Sequence, residues 1–262
     1  EVTLIGRKLP GSLSIPDWNF KTIRMNLIFK SGPAFYFFFN LRLYFKLLFS
    51  KSDLLVANDL DTLWPAYTIS KLKKVPLIYD SHEIFTEVPE LKDNHFKRKI
   101  WERLEQRIVP KLKYAVTVNQ SIADYFEKKY KTKFSVVRNV PEIINAEKRL
   151  SRKDLGLPDD QKIILLQGAG INVQRGSEEL VEAMKFMDNV LLLIIGSGDV
   201  INLLKARSEQ ADLKGRVRVL GKMKPGELLQ YTLNADLGIS IDKDTNLNYH
   251  FSLPNKIFDY AN

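Results

Sequence analysis

No cysteine occurs among the 262 residues. That excludes a disulfide framework and any thiolate metal site, and a reducing compartment, read as the cytoplasm, follows. Histidine is nearly as scarce: His82, His95 and His250 are too scattered to form a ligand cluster, so no metal is expected. With only 13 glycines and 11 prolines, the composition is that of a globular chain without low-complexity tracts. The opening "EVTLIGRKLP" has no positive start followed by an apolar stretch, so nothing there resembles a signal peptide. The longest apolar run, "PAFYFFFNLRLYFKLLF" from Pro33 to Phe49, falls short of the ~20 residues of a bilayer crossing, and Asn40, Arg42 and Lys46 interrupt it. As a helix it is apolar nearly all round and reads as buried core, with a face resting on a membrane as the alternative.

What is present is unevenly spread. Residues 1–140 hold 24 Lys and Arg against 14 Asp and Glu, whereas 141–262 hold 16 against 17. The basic excess of the first half fits an anionic partner such as phospholipid, a phosphorylated acceptor or nucleic acid, or else a solvated basic surface. Nucleic acid is disfavoured, because it needs exposed aromatics interleaved with cations and the Phe-rich run reads as core.

Short aliphatic runs recur at Val2, Leu54, Leu77, Ala115, Ser135, Ile163, Val190, Val217 and Leu237. They lack polar alternation, as strands covered on both faces do. Amphipathic stretches separate them. In "HFKRKIWERLEQRIVPKL", Phe96, Ile100, Leu104 and Ile108 suggest a buried stripe, and Ser177 is a candidate N-cap for "SEELVEAMKFM". Alternation of this kind predicts parallel sheets with helical crossovers. The polar stretch 139–162 coincides with the charge change. The expectation is an α/β fold of two Rossmann-like, doubly wound lobes, 1–140 and 141–262, with a cleft between them.

Chemistry in such sheets belongs beyond the carboxyl ends of the strands. There, "GAGINVQRG" supplies Gly168, Gly170 and Arg175 before a helix, a candidate phosphate cradle or simply a tight turn. "FSLPNKIFDY" supplies Pro254 as a helix start, with Lys256 in the first turn and Asp259 one turn on. A cation so placed makes sense if it and the free amides near Leu253 and Asn255 face an anion; a solvated Lys–Asp pair is the bland alternative. In the first half, "LLVANDLDTLWP" ends a strand with Asn58, Asp59 and Asp61, and "LIYDSHE" ends another with Asp80, Ser81, His82 and Glu83. Asp59 and Asp61 form a D-x-D, but Asp61 or Thr62 reads better as a helix cap, with Pro65 in the first turn.

Taken in order, "NDLDTLWPAYTISKLKKVPLIYDSHEIF", "AVTVNQSIADYF", "VVRNVPE", "GAGINVQRGSEELVEAM", "LLLIIGSGD", "VRVLGKMKPGELLQYTLNADLGISI" and "SLPNKIFDY" resemble the retaining glycosyltransferases of family 4, in a bacterial subgroup, over nearly the whole chain. The resemblance implies the GT-B fold, a nucleotide-diphosphate sugar as donor, no cofactor, and a saccharide or lipid-linked hydroxyl acceptor in surface polysaccharide or glycolipid synthesis. The enzyme would be cytoplasmic, with a peripheral place at the inner membrane face. By position, it gives His82 an acceptor-side catalytic role near the transferred sugar and sets Arg175 and Lys256 on the diphosphate. Asp259 would hold the ribose, and Gly221 and Lys222 the base; Asn58, Asp59 and Glu83 fall on the acceptor side. The chain departs from the pattern at Phe251, where an acid is expected, and at Ala169, Gly170 and Ile171, where a second cation is. A first strand before Glu1 and a closing segment after Asn262 are also expected by resemblance. A nucleotide-sugar epimerase and a non-catalytic sugar-nucleotide binder are the alternatives.

Overall fold

The computed structural model describes residues 1–9, 12, 15, 18–92, 94–140 and 149–261. Residues 141–148, a third of the expected linker, therefore lie outside the described residues. The chain divides into two compact units, Glu1–Arg138 and Asn139–Asn262.

The first unit runs β1 (Thr3–Lys8), β2 (Lys21–Asn26), α1 (Gly32–Leu48), β3 (Leu55–Asn58), α2 (Leu60–Lys73), β4 (Leu77–Ser81), α3 (Pro89–Lys92), α4 (His95–Ile108), β5 (Tyr114–Thr117), α5 (Gln120–Tyr130) and β6 (Ser135–Val136). Strands β3-β4-β5-β6 form one parallel sheet and β1-β2 another. An open groove of about 1410 Å³ runs along β1, β2, Leu54–Val56 and the second half of α1. Strand β2 was not foreseen: Lys21 and Arg24 alternate with Thr22, Ile23 and Met25, and only Met25 is fully buried, so the run lacks the continuous apolar signature of its neighbours.

The second unit runs β7 (Lys162–Gly168), α6 (Ser177–Ala183), β8 (Val190–Gly196), α7 (Ile201–Ser208), β9 (Val217–Leu220), α8 (Pro225–Thr232), β10 (Leu237–Gly238), α9 (Leu247–His250) and α10 (Lys256–Ala261). Its sheet is parallel, in the order β10-β7-β8-β9. Strands β7 and β8 are buried on both faces, with Ile164, Leu166, Leu192 and Ile194 on one side and Ile163, Leu165, Leu191 and Leu193 on the other. All four strand tips share one edge, so the loops after them converge there.

Several local expectations are corrected. In α4, Phe96 is 75% and Ile100 46% exposed, and only the Ile108 end is buried. Residues four apart drift by about 40° per step around a helix, so the stripe winds off the contact face. Glu105 is fully buried there instead. In α1, the stripe Phe35, Phe39, Leu43 and Leu47 is buried, but Phe37, Phe38, Phe45 and Phe49 are exposed; the run is not core all round. Neither Asp61 nor Thr62 caps α2. Asp59 holds that position, and Pro65 stands inside the helix rather than in its first turn. Gly176, with φ 74°, precedes α6 at the cap position and Ser177 is its first helical residue.

Glu105 ties α4 to α5: its Oε2 accepts from Lys129 Nζ at 3.0 Å and from the Tyr130 hydroxyl at 2.5 Å. Its Oε1 is buried without a partner. Removing the carboxylate strands a half-buried ammonium and a phenol, so Glu105→Ala should lower unfolding free energy by about 3 kcal/mol. Glu105→Gln, which keeps an acceptor, should cost less. Urea unfolding reads both, and equal losses would show that packing rather than charge holds this contact.

Candidate active site

In the second unit, Arg175 lies on the loop between β7 and α6, and Asp242 follows β10. Arg175 Nη1 is 3.3 Å from Asp242 Oδ1, a carboxylate with a side chain only 7% exposed. The guanidinium also lies over the ring of Tyr249, 4.6 Å from its centroid, and Tyr249 is itself buried. Lys256, the first residue of α10, senses the charges of both Asp242 and Arg175, so the three form one cluster. Burial lowers the Lys256 pKa, Asp242 opposes this and Arg175 adds to it. Two cations therefore feel one anion, with which Arg175 makes the ion pair. Arg175 Nε and Asp242 Oδ2 remain buried without partners, which leaves a donor and an acceptor unused.

Two glycines permit this assembly. A Cβ on Gly176 would stand 2.3 Å from the Ile241 carbonyl oxygen, so only glycine lets the Arg175 loop approach the strand end that carries Asp242. The same loops are tied by the Lys243 N–H to the Gln174 carbonyl at 3.3 Å and by the Thr245 hydroxyl to Gln174 Oε1 at 3.0 Å. A Cβ on Gly238 would fall 2.2 Å from the Tyr260 ring. Its absence lets Tyr260 lie against β10, where its hydroxyl bonds the Leu165 and Ile239 carbonyls at 3.1 and 3.2 Å and receives the Gln167 N–H at 3.1 Å. Helix α10 is thereby fixed at the tips of β7 and β10. Asp259 points back to the buried Gln167, whose Nε2 donates to its Oδ2 at 3.0 Å while Gln167 Oε1 accepts from Thr232 at 2.8 Å.

The remaining donor-side candidates spread along the same sheet edge. Gly168 ends β7 and accepts the Ser197 N–H at 3.0 Å, while Gly170 follows with open space where a Cβ would be. Leu253 and Asn255 precede α10, and the Asn255 carbonyl accepts from Phe258 and Asp259. Gly221 and Lys222 are exposed after β9, two strands away from β7. Phe251, where an acid was expected, packs edge-on against His250 at 4.8 Å. Asp242, Tyr249 and Gln167 were missed by the sequence reading. For Asp242 and Gln167 a signal existed, since each stands at the carboxyl end of a parallel strand.

In the first unit, the tips of β3 and β4 bring Asn58, Asp59, Asp61, Asp80, His82 and Glu83 together. The Asp59 N–H donates to the Asp80 carbonyl at 2.8 Å, and Asp59 Oδ1 accepts the His82 N–H at 2.9 Å. His82 Nε2 is 3.1 Å from Asp80 Oδ2. Asp59 adopts φ 58°, an uncommon conformation for a non-glycine residue that this double tether holds. Thr62 donates to the Asn58 carbonyl at 2.7 Å. Burial raises the pKa of Asp59, with the His82 hydrogen bond and charge opposing it. Asp61 is pushed up to about 6 by burial and by Asp59, against the pull of Arg7. Among the described residues, no group of three or more His, Asp or Glu is arranged to hold a metal ion, and no helix is long and apolar enough to cross a membrane.

Residues 1–148 match the model of Glycosyltransferase Family 4, and residues 147–240 that of Glycosyl transferases group 1. The chain belongs to glycosyltransferase family 4. No curated protein matches it. Among solved structures, it is similar to sucrose-phosphate synthase from Thermosynechococcus elongatus, with TM-score 0.70 and 18% identity over 94% of this chain and 67% of that one. It is also similar to Anabaena Alr3699/HepE in complex with UDP and glucose, with TM-score 0.62 and 16% identity over 84% and 60%. A glycosyltransferase from Rickettsia africae gives TM-score 0.57 and 18% identity over 85% and 59%. The chain thus spans about three fifths to two thirds of the length of these structures, which share the GT-B fold.

An acid whose pKa rises on folding holds its proton more tightly in the folded state. Its contribution is therefore complete below the ordinary value near 3.8 and lost as pH climbs through about 6. Asp61→Asn removes that penalty, so it should stabilise the protein by about 2 kcal/mol more at pH 7.5 than at pH 4. Urea titrations at the two pH values measure the difference; a gain independent of pH would show that Asp61 does not titrate in this window.

Proposed function

We propose that the chain is the catalytic part of a retaining, metal-independent glycosyltransferase. It would move a sugar from a nucleotide-diphosphate donor to a hydroxyl on a saccharide or lipid-linked acceptor. Bacterial surface polysaccharide or glycolipid synthesis at the cytoplasmic membrane face is the setting that the resemblance implies. The observation that carries this reading is the Arg175–Asp242–Lys256 cluster over Tyr249.

The bond from the sugar's anomeric carbon to the diphosphate breaks with its electron pair going to the diphosphate, and the acceptor oxygen bonds that carbon as its hydroxyl proton passes to the departing diphosphate oxygen. Negative charge grows on the departing group as the sugar becomes oxocarbenium-like. Fixed cations in a partly dry pocket stabilise such charge far better than water does, and losing one contact of this kind costs about 10²- to 10³-fold in rate. Arg175 suits the task because its planar guanidinium meets two phosphate oxygens at once. Lys256, which burial has already stripped of part of its hydration, supplies a point charge. These two cations take the part that a divalent ion plays elsewhere. Asp259, with one oxygen held by Gln167, has the other for a ribose hydroxyl, and Gly221 and Lys222 border the base. On the first unit, His82 and Asp59, tethered to each other, orient the acceptor hydroxyl. Retention rests on the family resemblance.

Arg175→Ala and Lys256→Ala should each reduce kcat by about 10²-fold or more with the intact enzyme. A double variant within a few-fold of wild type would rule out this mechanism. A thermal-shift panel of UDP-, GDP- and ADP-sugars should single out one nucleotide by a rise in Tm. Sugar transfer must then require an added acceptor; conversion of the donor alone would identify an epimerase, and binding without turnover an inactive receptor.

A further inference from the structure

The exposed side of α1 is a mixed aromatic and basic surface for which the donor chemistry has no use. Phe37 is 63%, Phe38 42%, Phe45 48% and Phe49 82% exposed, on the side of the helix opposite the buried Phe35, Phe39, Leu43 and Leu47. Just before the helix, Ile28 is 91% and Phe29 43% exposed. Arg42 and Lys46 are exposed as well, beside the groove that β1 and β3 border. From Trp18 to Ser52 the sequence contains no acidic residue but six basic ones, Lys21, Arg24, Lys30, Arg42, Lys46 and Lys51.

We infer that this face docks on an anionic phospholipid surface. The inference deepens the functional reading above by naming the place where a lipid-linked acceptor would be met. Charge decides the occupant. So basic a stretch repels a second copy of itself, whereas anionic headgroups attract it. The apolar side chains suit the headgroup boundary, into which a helix lying in the plane of the membrane sinks its aromatic face. Nucleic acid also answers the charge, but its bases need open ring faces. Here Phe29 stacks on Phe38 at 5.3 Å, Phe37 sets its edge to Phe38 at 5.3 Å, and Phe45 stacks on Phe49 at 6.5 Å. The rings pair with one another in two apolar groups instead of standing apart to receive bases, and the protruding Ile28 has no ring to offer.

Phe45 and Phe49 also border the groove beside β1 and β3, so the test uses Phe37 and Phe38, which do not. The whole protein is mixed with vesicles of phosphatidylcholine alone or with about a third phosphatidylglycerol, and flotation measures the bound fraction. Wild type should bind the anionic vesicles at least ten-fold more strongly and release them as salt rises. Phe37→Ser with Phe38→Ser should lose most of that binding at any salt, and Lys30→Glu, also outside the groove, should weaken the preference for anionic lipid. Both variants should keep the wild-type unfolding midpoint and the wild-type Tm shift with donor, so this proposal and the donor reading can fail separately. Equal binding to neutral vesicles, unaltered binding by the Phe variant, or binding of a single-stranded oligonucleotide in place of vesicles would each overturn the proposal.

Discussion

Two positive side chains do not share a half-buried pocket unless an anion holds them there. In the second unit that anion is Asp242, which pairs with Arg175 while Lys256 stands within reach of both charges. Tyr249 adds the negative face of its ring beneath the guanidinium. One carboxylate is a meagre counterion for two cations, and its second oxygen is buried without a partner. The cluster is therefore electrostatically incomplete, and a diphosphate, with more charge and more acceptor oxygens, would complete it.

The rest of the unit serves to bring these side chains together from far apart in the sequence. A parallel sheet sends all its strand tips to one edge, and the buried aliphatic runs of β7 and β8 anchor that edge in the core. Glycine at 176 and 238 removes the side chains that would hold the Arg175 loop and α10 away. Tyr260 then pins α10 by bonds to the backbone of β7 and to Ile239 beyond β10. In the first unit, Asp59 plays a similar organising part through its backbone N–H and its carboxylate, with Asp80 and His82 fixing a costly conformation at the tip of β3.

How much of this could be read in advance varies with the physics. Long aliphatic strands declared themselves because burial on both faces leaves a continuous apolar run. Arg175 and Lys256 stood out because each is a cation at a loop-to-helix junction after a strand. Asp242 and Gln167 carried the strand-end signal but not their partners 67 and 92 residues away, and Tyr249 stayed hidden because its pairing across 74 residues leaves no local pattern. Strand β2 hid behind its basic residues. Helix α4 misled because a four-residue spacing drifts around the helix. Helix α1 misled more deeply: composition counts phenylalanines but does not tell which side of the helix has a neighbour.

The central claim is that Arg175 and Lys256 together grip the diphosphate of a nucleotide. A crystal structure of the protein with UDP tests it most directly. The account predicts diphosphate oxygens at about 2.7–3.2 Å from both the Arg175 guanidinium and Lys256 Nζ, with Asp259 on the ribose. Density for the diphosphate away from these two side chains, with the Arg175–Asp242 pair left as it is here, would contradict it.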